Sequence, residues 1–195
     1  MRIGIMGLPS TGKTTLARAL ASRMHEYFDS IELITEYARD YIAVNGTPVD
    51  LWEQYLITTK QIQREQEAKA SLIVTDSPVL QGLIYAGSLY KPHKGIKHPQ
   101  LMSDLFETII KYSASHPYDY LIILDKEIKI VDDGIRSEEQ MTEHWRTQAS
   151  ATINYLLSVT KPYSEGLIRI TETDLTKRVD EIVEQFLNDR EIMYG

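Results

Sequence analysis

Short apolar runs alternate along this chain with longer segments in which apolar residues recur every three or four positions. Leu16, Leu20 and Met24, for example, fall on one face of the first such segment. Five runs have the length and composition of buried strands: Arg2–Met6, Ser30–Thr35, Ser71–Thr75, Tyr120–Leu124 and Leu167–Thr171. The segments with helical spacing are Lys13–Tyr27, Leu51–Lys69, Gln100–Ser115, a stretch that ends near Val159, and Leu175–Leu187. This alternation predicts an α/β fold, a three-layer α/β/α sandwich with a mainly parallel five-stranded sheet.

The length of the chain favours one domain. Its 195 residues, 43% of them hydrophobic, suffice for one sizeable core and leave little room for a second. We therefore expect a single domain over residues 1–195, with a polar lid segment near residues 130–146. The segment Tyr90–Pro99 contains three lysines and two histidines, and this composition predicts a basic loop.

Charge and cysteine content restrict the possible partners. The net charge of −7 opposes binding to polynucleotides and to anionic membranes, so nucleic acid is a disfavoured partner. The chain has no cysteine, which excludes disulfides, thiolate metal sites and a cysteine nucleophile. Met1 leads directly into the first predicted strand, and no apolar stretch approaches the roughly 20 residues that span a bilayer. We expect a cytoplasmic protein that acts on small molecules.

The segment Gly7–Thr14 is a complete G-x-x-x-x-G-K-[ST] motif, and it lies between a predicted strand and a predicted helix. Glycines allow the backbone to wrap so that successive N–H groups face phosphate oxygens. The motif predicts that Lys13 binds the β- and γ-phosphates of ATP and that Thr14 is a ligand of Mg²⁺. The expected nucleotide-binding residues are Gly7, Ser10, Thr11, Gly12, Lys13, Thr14 and Thr15.

Asp76 follows the third predicted strand. The carboxyl ends of parallel strands face the ligand crevice in this fold class. A carboxylate there suits a magnesium ligand alongside Thr14, or a general base. The structural alternative is that Asp76 caps a helix that opens at Ser77 and Pro78.

Glu36, Tyr37 and Arg39 follow the second predicted strand, where we expect them to contact a second substrate. Glu36 can orient or deprotonate a hydroxyl group, and Arg39 can hold an anionic or hydroxyl-rich partner. The alternative is an ordinary ion pair between Glu36 and Arg39 at the start of a solvated helix.

Asp132–Ser137 follows the fourth predicted strand, where small kinases of this fold carry a lid over the nucleotide. Arg136 within this segment can stabilise charge on a phosphoryl group in transfer, and Arg146 is a weaker candidate for that role. The alternative is a surface turn around the Asp133-Gly134 pair. The expected catalytic set is Lys13, Glu36, Asp76 and Arg136.

Four elements together, Gly7–Thr14, Glu36–Arg39, Thr75-Asp76 and Asp133–Arg136, carry a family resemblance. In this order they resemble the kinase domain of NadR-type nicotinamide riboside kinases, and the wider group of small P-loop ATPase and kinase domains. The resemblance runs across most of the chain. It implies that Glu36 and Arg39 lie near the acceptor, that Asp76 works with the metal or the hydroxyl, and that Arg136 belongs to the lid.

The sequence thus favours a kinase that transfers the γ-phosphoryl of ATP to a nucleoside such as nicotinamide riboside or a deoxynucleoside. A nucleoside monophosphate kinase is the next interpretation, with the basic loop as a site for the acceptor's own phosphate. A kinase for DNA or RNA and an ATP-dependent regulatory switch are further alternatives. The residues alone leave open whether Glu36 or Asp76 takes the proton.

Overall fold

The computed structural model describes residues 1–48, 50–89, 99–125, 142–159 and 164–194. Strands and helices alternate through these ranges. The strands are β1 (Arg2–Gly7), β2 (Ile31–Ile34), β3 (Leu72–Asp76), β4 (Tyr118–Leu124) and β5 (Ser164–Ile170). The helices are α1 (Lys13–Met24), α2 (Tyr37–Asn45), α3 (Leu51–Glu67), α4 (Gly82–Leu89), α5 (Pro99–Ser115), α6 (Glu143–Val159) and α7 (Leu175–Tyr194). A 3₁₀ turn, Val79–Gln81, precedes α4.

The five strands form one parallel sheet in the order β2-β3-β1-β4-β5. The central strand β1 pairs with β3 on one side and β4 on the other. In this register Ile5 lies opposite Asp76 of β3, and Gly7 lies opposite Leu124 of β4. The loops after β1, β2 and β3 therefore leave the same edge of the sheet, as in other open α/β sheets with a ligand crevice.

Apolar side chains cover both faces of the sheet. On one face Ile3 and Ile5 of β1 pack with residues of α1 and α7 such as Leu20 and Phe186. On the other face Met6 packs with residues of α4, α5 and α6. Parallel strands buried on both faces read as continuous apolar runs, which is the pattern that the sequence has. The predicted α/β/α sandwich and its five strands are confirmed, and the sheet is wholly parallel among the described strands.

Two helices, α2 and α4, were not among the segments with helical spacing, although the structural alternatives for Glu36 and Asp76 included helix starts near them. The α4 segment is apolar on every side, so it has no helical period to recognise, and α2 spans only nine residues. Strand β5 begins three residues earlier than expected and α7 extends seven residues further. Most of the predicted basic loop (residues 90–98) and most of the lid segment, Arg136 included, lie outside the described residues. No helix in the described ranges is both long and apolar enough to cross a bilayer.

Candidate functional site

The loop between β1 and α1 has a conformation that requires its glycines. Gly12 has φ +85°, a left-handed value that side chains with a Cβ seldom adopt. A Cβ at Gly7 would lie 2.8 Å from Thr11 Oγ1 and 2.9 Å from the Leu124 carbonyl oxygen. Ser10 also has a left-handed φ of +65°, without being glycine. Strained backbone of this kind is retained where a site needs it, here at a predicted phosphate cradle.

Lys13 is buried within this loop. Its Nζ donates hydrogen bonds to the carbonyl oxygens of Gly7 at 3.0 Å and Leu8 at 3.1 Å. The ammonium group therefore lies over the loop that the motif assigns to the triphosphate. The side chain of Thr15, by contrast, is exposed.

Three buried side chains from distant parts of the sequence form hydrogen bonds with backbone groups of the same loop. Gln81 bonds both backbone groups of Gly7, with Nε2 to the carbonyl oxygen at 2.8 Å and the Gly7 N–H to Oε1 at 3.3 Å. Arg146 of α6 donates to the Pro9 carbonyl oxygen at 2.9 Å, and Arg178 of α7 donates to that of Thr11 at 2.6 Å. The structure thus gives Arg146 an anchoring contact at the loop, and sequence reasoning missed Gln81 and Arg178.

Asp76 meets the loop from the end of β3. The Thr14 hydroxyl donates a hydrogen bond to Asp76 Oδ2 at 2.6 Å. Asp76 is buried, with a relative exposure of 1%. The next residue, Ser77, has φ +61°, so the chain turns sharply as soon as it leaves the strand. Thr14 and Asp76, the two residues expected to take part in a magnesium site, are therefore in direct contact.

This pair fits a magnesium ion. A hydroxyl and a carboxylate oxygen are ligands that Mg²⁺ accepts, and Mg²⁺ usually takes its other ligands from phosphates and water. No cluster of three or more acidic, histidine or cysteine side chains that could hold a metal alone occurs in the described part of the chain. A site built from Thr14 and Asp76 would therefore need a bound nucleotide to complete it.

Glu36 lies just before α2, and its side chain is 14% exposed. Burial raises the pKa of the Glu36 carboxyl above its usual range; Asp76 adds to the increase, whereas Lys13 and Arg39 oppose it. Arg39 Nε lies 3.3 Å from Glu36 Oε2, so the ion pair foreseen as the structural alternative is present. The charges of Lys13, Asp76 and Arg39 all influence the pKa of Glu36, so these four residues are electrostatically coupled.

A cleft of about 310 Å³, open mouth included, lies beside this group. It is walled by α3 and by the segment from Ser77 to Tyr85, with Glu36 at one side. Its polar lining consists mainly of uncharged groups: Gln54, Thr58, Gln61, Ser77 and Gln81. Gln61 accepts a hydrogen bond from the Tyr37 N–H at 2.9 Å through Oε1, and its buried Nε2 has no hydrogen-bond partner among the described residues.

Tyr37 does not line this cleft. The Arg64 guanidinium lies over its ring, 4.7 Å from the centroid. Of the residues expected to contact the second substrate, Glu36 lines the cleft and Arg39 reaches it through its ion pair with Glu36.

These features define a P-loop protein in which a cleft with Glu36 at one side lies next to the phosphate-binding loop. The sequence matches the family model of an AAA domain over residues 2–163, and the chain belongs to that family. No protein of curated function matches it.

Solved structures share the fold at low sequence identity. The NadR protein in complex with NR has a TM-score of 0.72 and 20% identity, covering 94% of this chain and 50% of that chain. Deoxyadenosine kinase from M. mycoides with the products dCMP and dCDP has a TM-score of 0.64 and 16% identity, covering 96% and 100%. Thymidylate kinase from Ehrlichia chaffeensis has a TM-score of 0.63 and 15% identity, covering 95% and 98%. The chain thus spans half the length of NadR and nearly all of the two smaller kinases.

Proposed function

We propose that this protein is an ATP-dependent kinase that phosphorylates a hydroxyl group of a nucleoside. The observation that carries the proposal is the position of Glu36, a mostly buried carboxylate that lines a cleft and lies within the electrostatic field of Lys13 and Asp76. A carboxylate between an acceptor cleft and a phosphate-binding loop is what phosphoryl transfer to a hydroxyl requires. The solved kinases of similar fold act on nucleosides or nucleotides according to their names, which agrees with this proposal.

The phosphate side of the site belongs to the loop. Lys13, whose ammonium lies at the carbonyl oxygens of Gly7 and Leu8, would bind the β- and γ-phosphates, and the backbone of Ser10–Lys13 would donate to phosphate oxygens. Thr14 and Asp76 would hold Mg²⁺, which neutralises phosphate charge when it is bound. Arg136, outside the described residues, remains a proposed lid contact to the γ-phosphoryl group.

Transfer needs a base, and we assign this role to Glu36. The acceptor hydroxyl oxygen forms a bond to the γ-phosphorus, the bond from that phosphorus to the β–γ bridging oxygen breaks, and ADP leaves with the electron pair. The hydroxyl proton passes to Glu36. Because the pKa of Glu36 is raised, it lies closer to the working pH, and the carboxylate takes up a proton more readily. Asp76 already accepts from Thr14, so we place Asp76 on the metal side instead.

The lining of the cleft favours a neutral acceptor. Among the described residues that line it, Glu36 is the one charged side chain, and the uncharged side chains around it suit a neutral base and sugar. A phosphate beside Glu36 would be repelled unless cations offset it. We therefore place a nucleoside before a nucleoside monophosphate.

A nucleotide acceptor is the second candidate, because Arg39 is 40% exposed at the edge of the site. The basic loop supplies further positive charge from Lys91, Lys94 and Lys97. Replacing these three lysines together by alanine separates the candidates. Unchanged kcat/KM is expected for a nucleoside acceptor, whereas a loss of tenfold or more that weakens at high salt indicates a phosphorylated acceptor.

The function is tested by measuring ADP release from ATP across a panel of acceptors. The panel contains nicotinamide riboside, the four deoxynucleosides, the nucleoside monophosphates and a short oligonucleotide. We expect at least one nucleoside to increase ADP release tenfold or more above the acceptor-free rate. Stimulation by monophosphates or the oligonucleotide alone would reassign the acceptor. ATP binding without stimulation by any compound would favour a regulatory switch.

A further inference from the structure

Gly82 begins helix α4 in one wall of the cleft beside Glu36, and its backbone does not require glycine. Its φ of −57° and ψ of −30° are ordinary right-handed helical values that any residue adopts. At such a position alanine usually makes a protein more stable than glycine does, because it restricts the unfolded chain. The conformation of the turn and the helix therefore gives no reason for glycine here.

The space beside Gly82 lies between the two walls of the cleft. A Cβ added to Gly82 would lie 3.1 Å from Thr58 Oγ1 and 3.5 Å from Gln54 Nε2, which belong to the wall formed by α3. It would also lie 3.4 Å from Cδ1 of Ile109, a fully buried core residue on α5. A methyl group at Gly82 would therefore occupy the core side of the cleft, in tight contact with the opposite wall.

The two α3 atoms nearest to this position are polar. Gln54 Nε2 donates to Thr58 Oγ1 at 3.5 Å, which is long for a hydrogen bond, and both residues are buried in the wall of the cleft. A methyl group at Gly82 would cover this polar pair as well as fill the space in front of it. Glycine therefore keeps the cleft both deeper and more polar at this point than alanine would.

We propose that Gly82 is a specificity-determining residue for the acceptor: because it lacks a side chain, the flat base of a nucleoside can enter the cleft between α3 and α4. This inference rests on the proposed nucleoside kinase function. The three atoms nearest to the added Cβ belong to α3 and α5, and none of them belongs to the phosphate-binding loop. A change at Gly82 should therefore affect binding of the acceptor and leave binding of ATP unchanged.

The test is Gly82→Ala, which adds one methyl group and is compatible with the helical backbone. KM and kcat are measured for nicotinamide riboside and the four deoxynucleosides at saturating Mg·ATP, and the KM for ATP is measured at a saturating nucleoside. For the nucleoside with the highest wild-type kcat/KM, we expect Gly82→Ala to raise KM about tenfold, the effect of one misplaced methyl group in a binding pocket. The kcat and the KM for ATP should stay within twofold of the wild-type values.

Gly87→Ala is the matched control on the same helix. Apart from the helix itself, no atom of the described residues lies within 4 Å of a Cβ at Gly87, which is exposed, so all KM values should stay within twofold of wild type. If Gly82 serves only the packing of α4 on α3, Gly82→Ala lowers the melting temperature and raises the nucleoside KM less than fivefold, and that result overturns the inference. An equal rise in the KM for ATP and for the nucleoside also overturns it.

If Gly82→Ala does not fold, the same substitution is made together with Thr58→Ser and is compared with Thr58→Ser alone. Serine lacks the γ-methyl group of threonine, so its hydroxyl can turn away from the new methyl group. The same tenfold rise in the nucleoside KM is expected, and a rise of less than fivefold overturns the inference. A wild-type protein that phosphorylates none of the nucleosides contradicts the proposed function instead, so the two failures are distinguishable.

Discussion

The hydroxyl of Thr14 and the carboxylate of Asp76 lie 2.6 Å apart, although 62 residues separate them in the sequence. Thr14 belongs to the first turn of α1 and Asp76 is the last residue of β3. Strand β1 leads into α1 and pairs in parallel with β3, with Ile5 opposite Asp76. This pairing brings the start of α1 close to the end of β3. The contact joins the phosphate-binding loop to the neighbouring strand at the place where we propose that Mg²⁺ binds.

The first prediction concerns this pair. Asp76→Asn keeps the shape of the side chain and removes the negative charge, so the Mg²⁺ concentration for half-maximal activity should rise tenfold or more. Thr14→Ala should have a similar effect because it removes the partner ligand. Titrating activity with Mg²⁺ at fixed ATP measures the change. Wild-type magnesium dependence in both variants would contradict the proposal that Thr14 and Asp76 bind Mg²⁺.

The second prediction concerns Lys13. Lys13→Met should lower kcat/KM by on the order of 10²–10³-fold, because the ammonium no longer neutralises charge that develops on the phosphates. The methionine keeps most of the aliphatic stem, so circular dichroism should show an unchanged fold. Lys60→Ala removes an exposed lysine from α3 and serves as the control with wild-type kinetics. Near wild-type turnover of Lys13→Met would contradict the assignment of the loop.

The third prediction is the pH dependence that Glu36 imposes. A base acts only when it is deprotonated, so kcat/KM should rise with pH through the raised pKa of Glu36 and then level off. Glu36→Gln should lose this acidic limb together with most of the activity. A pH–rate profile of the two proteins on the best acceptor measures both effects. Persistence of the same limb in Glu36→Gln would transfer the role of base to another group, with Asp76 the first alternative.

The stability of Glu36→Gln separates loss of chemistry from loss of fold. A carboxyl whose pKa is higher in the folded than in the unfolded protein favours folding below the unfolded pKa, and this advantage is lost as pH rises from the unfolded pKa through the folded pKa. At neutral pH the buried carboxylate of Glu36 is therefore a liability to the fold. Glu36→Gln should be at least as stable as the wild-type protein at pH 7, by urea unfolding. An inactive variant that is also unfolded would leave the assignment of the base unsupported.

The fourth prediction concerns Arg178, whose guanidinium donates to the carbonyl oxygens of Thr11 and Glu172, each at 2.6 Å. Arg178 is 1% exposed, so Arg178→Met should leave buried acceptors unpaired and lower the free energy of unfolding by about 1–3 kcal/mol. Arg169→Met removes a half-exposed arginine paired with Asp125, and this control should cost about 1 kcal/mol or less. Equal costs in urea unfolding would show that Arg178 is not a special anchor of the loop.

The sequence was sufficient for those parts of the site that depend on local order. Gly7–Thr14 is contiguous, and its chemistry is written in its spacing. Asp76 and Glu36 could be proposed because strand ends in a parallel sheet converge on one edge. Their contact partners follow from the strand order, which placed β3 beside β1.

The anchors of the loop could not be predicted in the same way. Gln81, Arg146 and Arg178 lie 74, 137 and 167 residues from the loop residues that they hold. Each acts through backbone carbonyl groups, which carry no signature of residue type in the sequence. An arginine or glutamine inside a helical period reads as a surface residue until the packing of α6 and α7 is known. The neutral character of the cleft likewise emerged only when α3 and the segment after β3 were brought together.

The central claim is transfer of the γ-phosphoryl group to a nucleoside, and product analysis tests it most directly. ATP labelled with ¹⁸O in the γ-phosphoryl group is incubated with Mg²⁺, the protein and each nucleoside of the panel. The masses of the products are then determined by mass spectrometry. The account predicts that the label appears in a nucleoside monophosphate, and that Lys13→Met and Glu36→Gln abolish this product. Label found in inorganic phosphate alone with every nucleoside would contradict it.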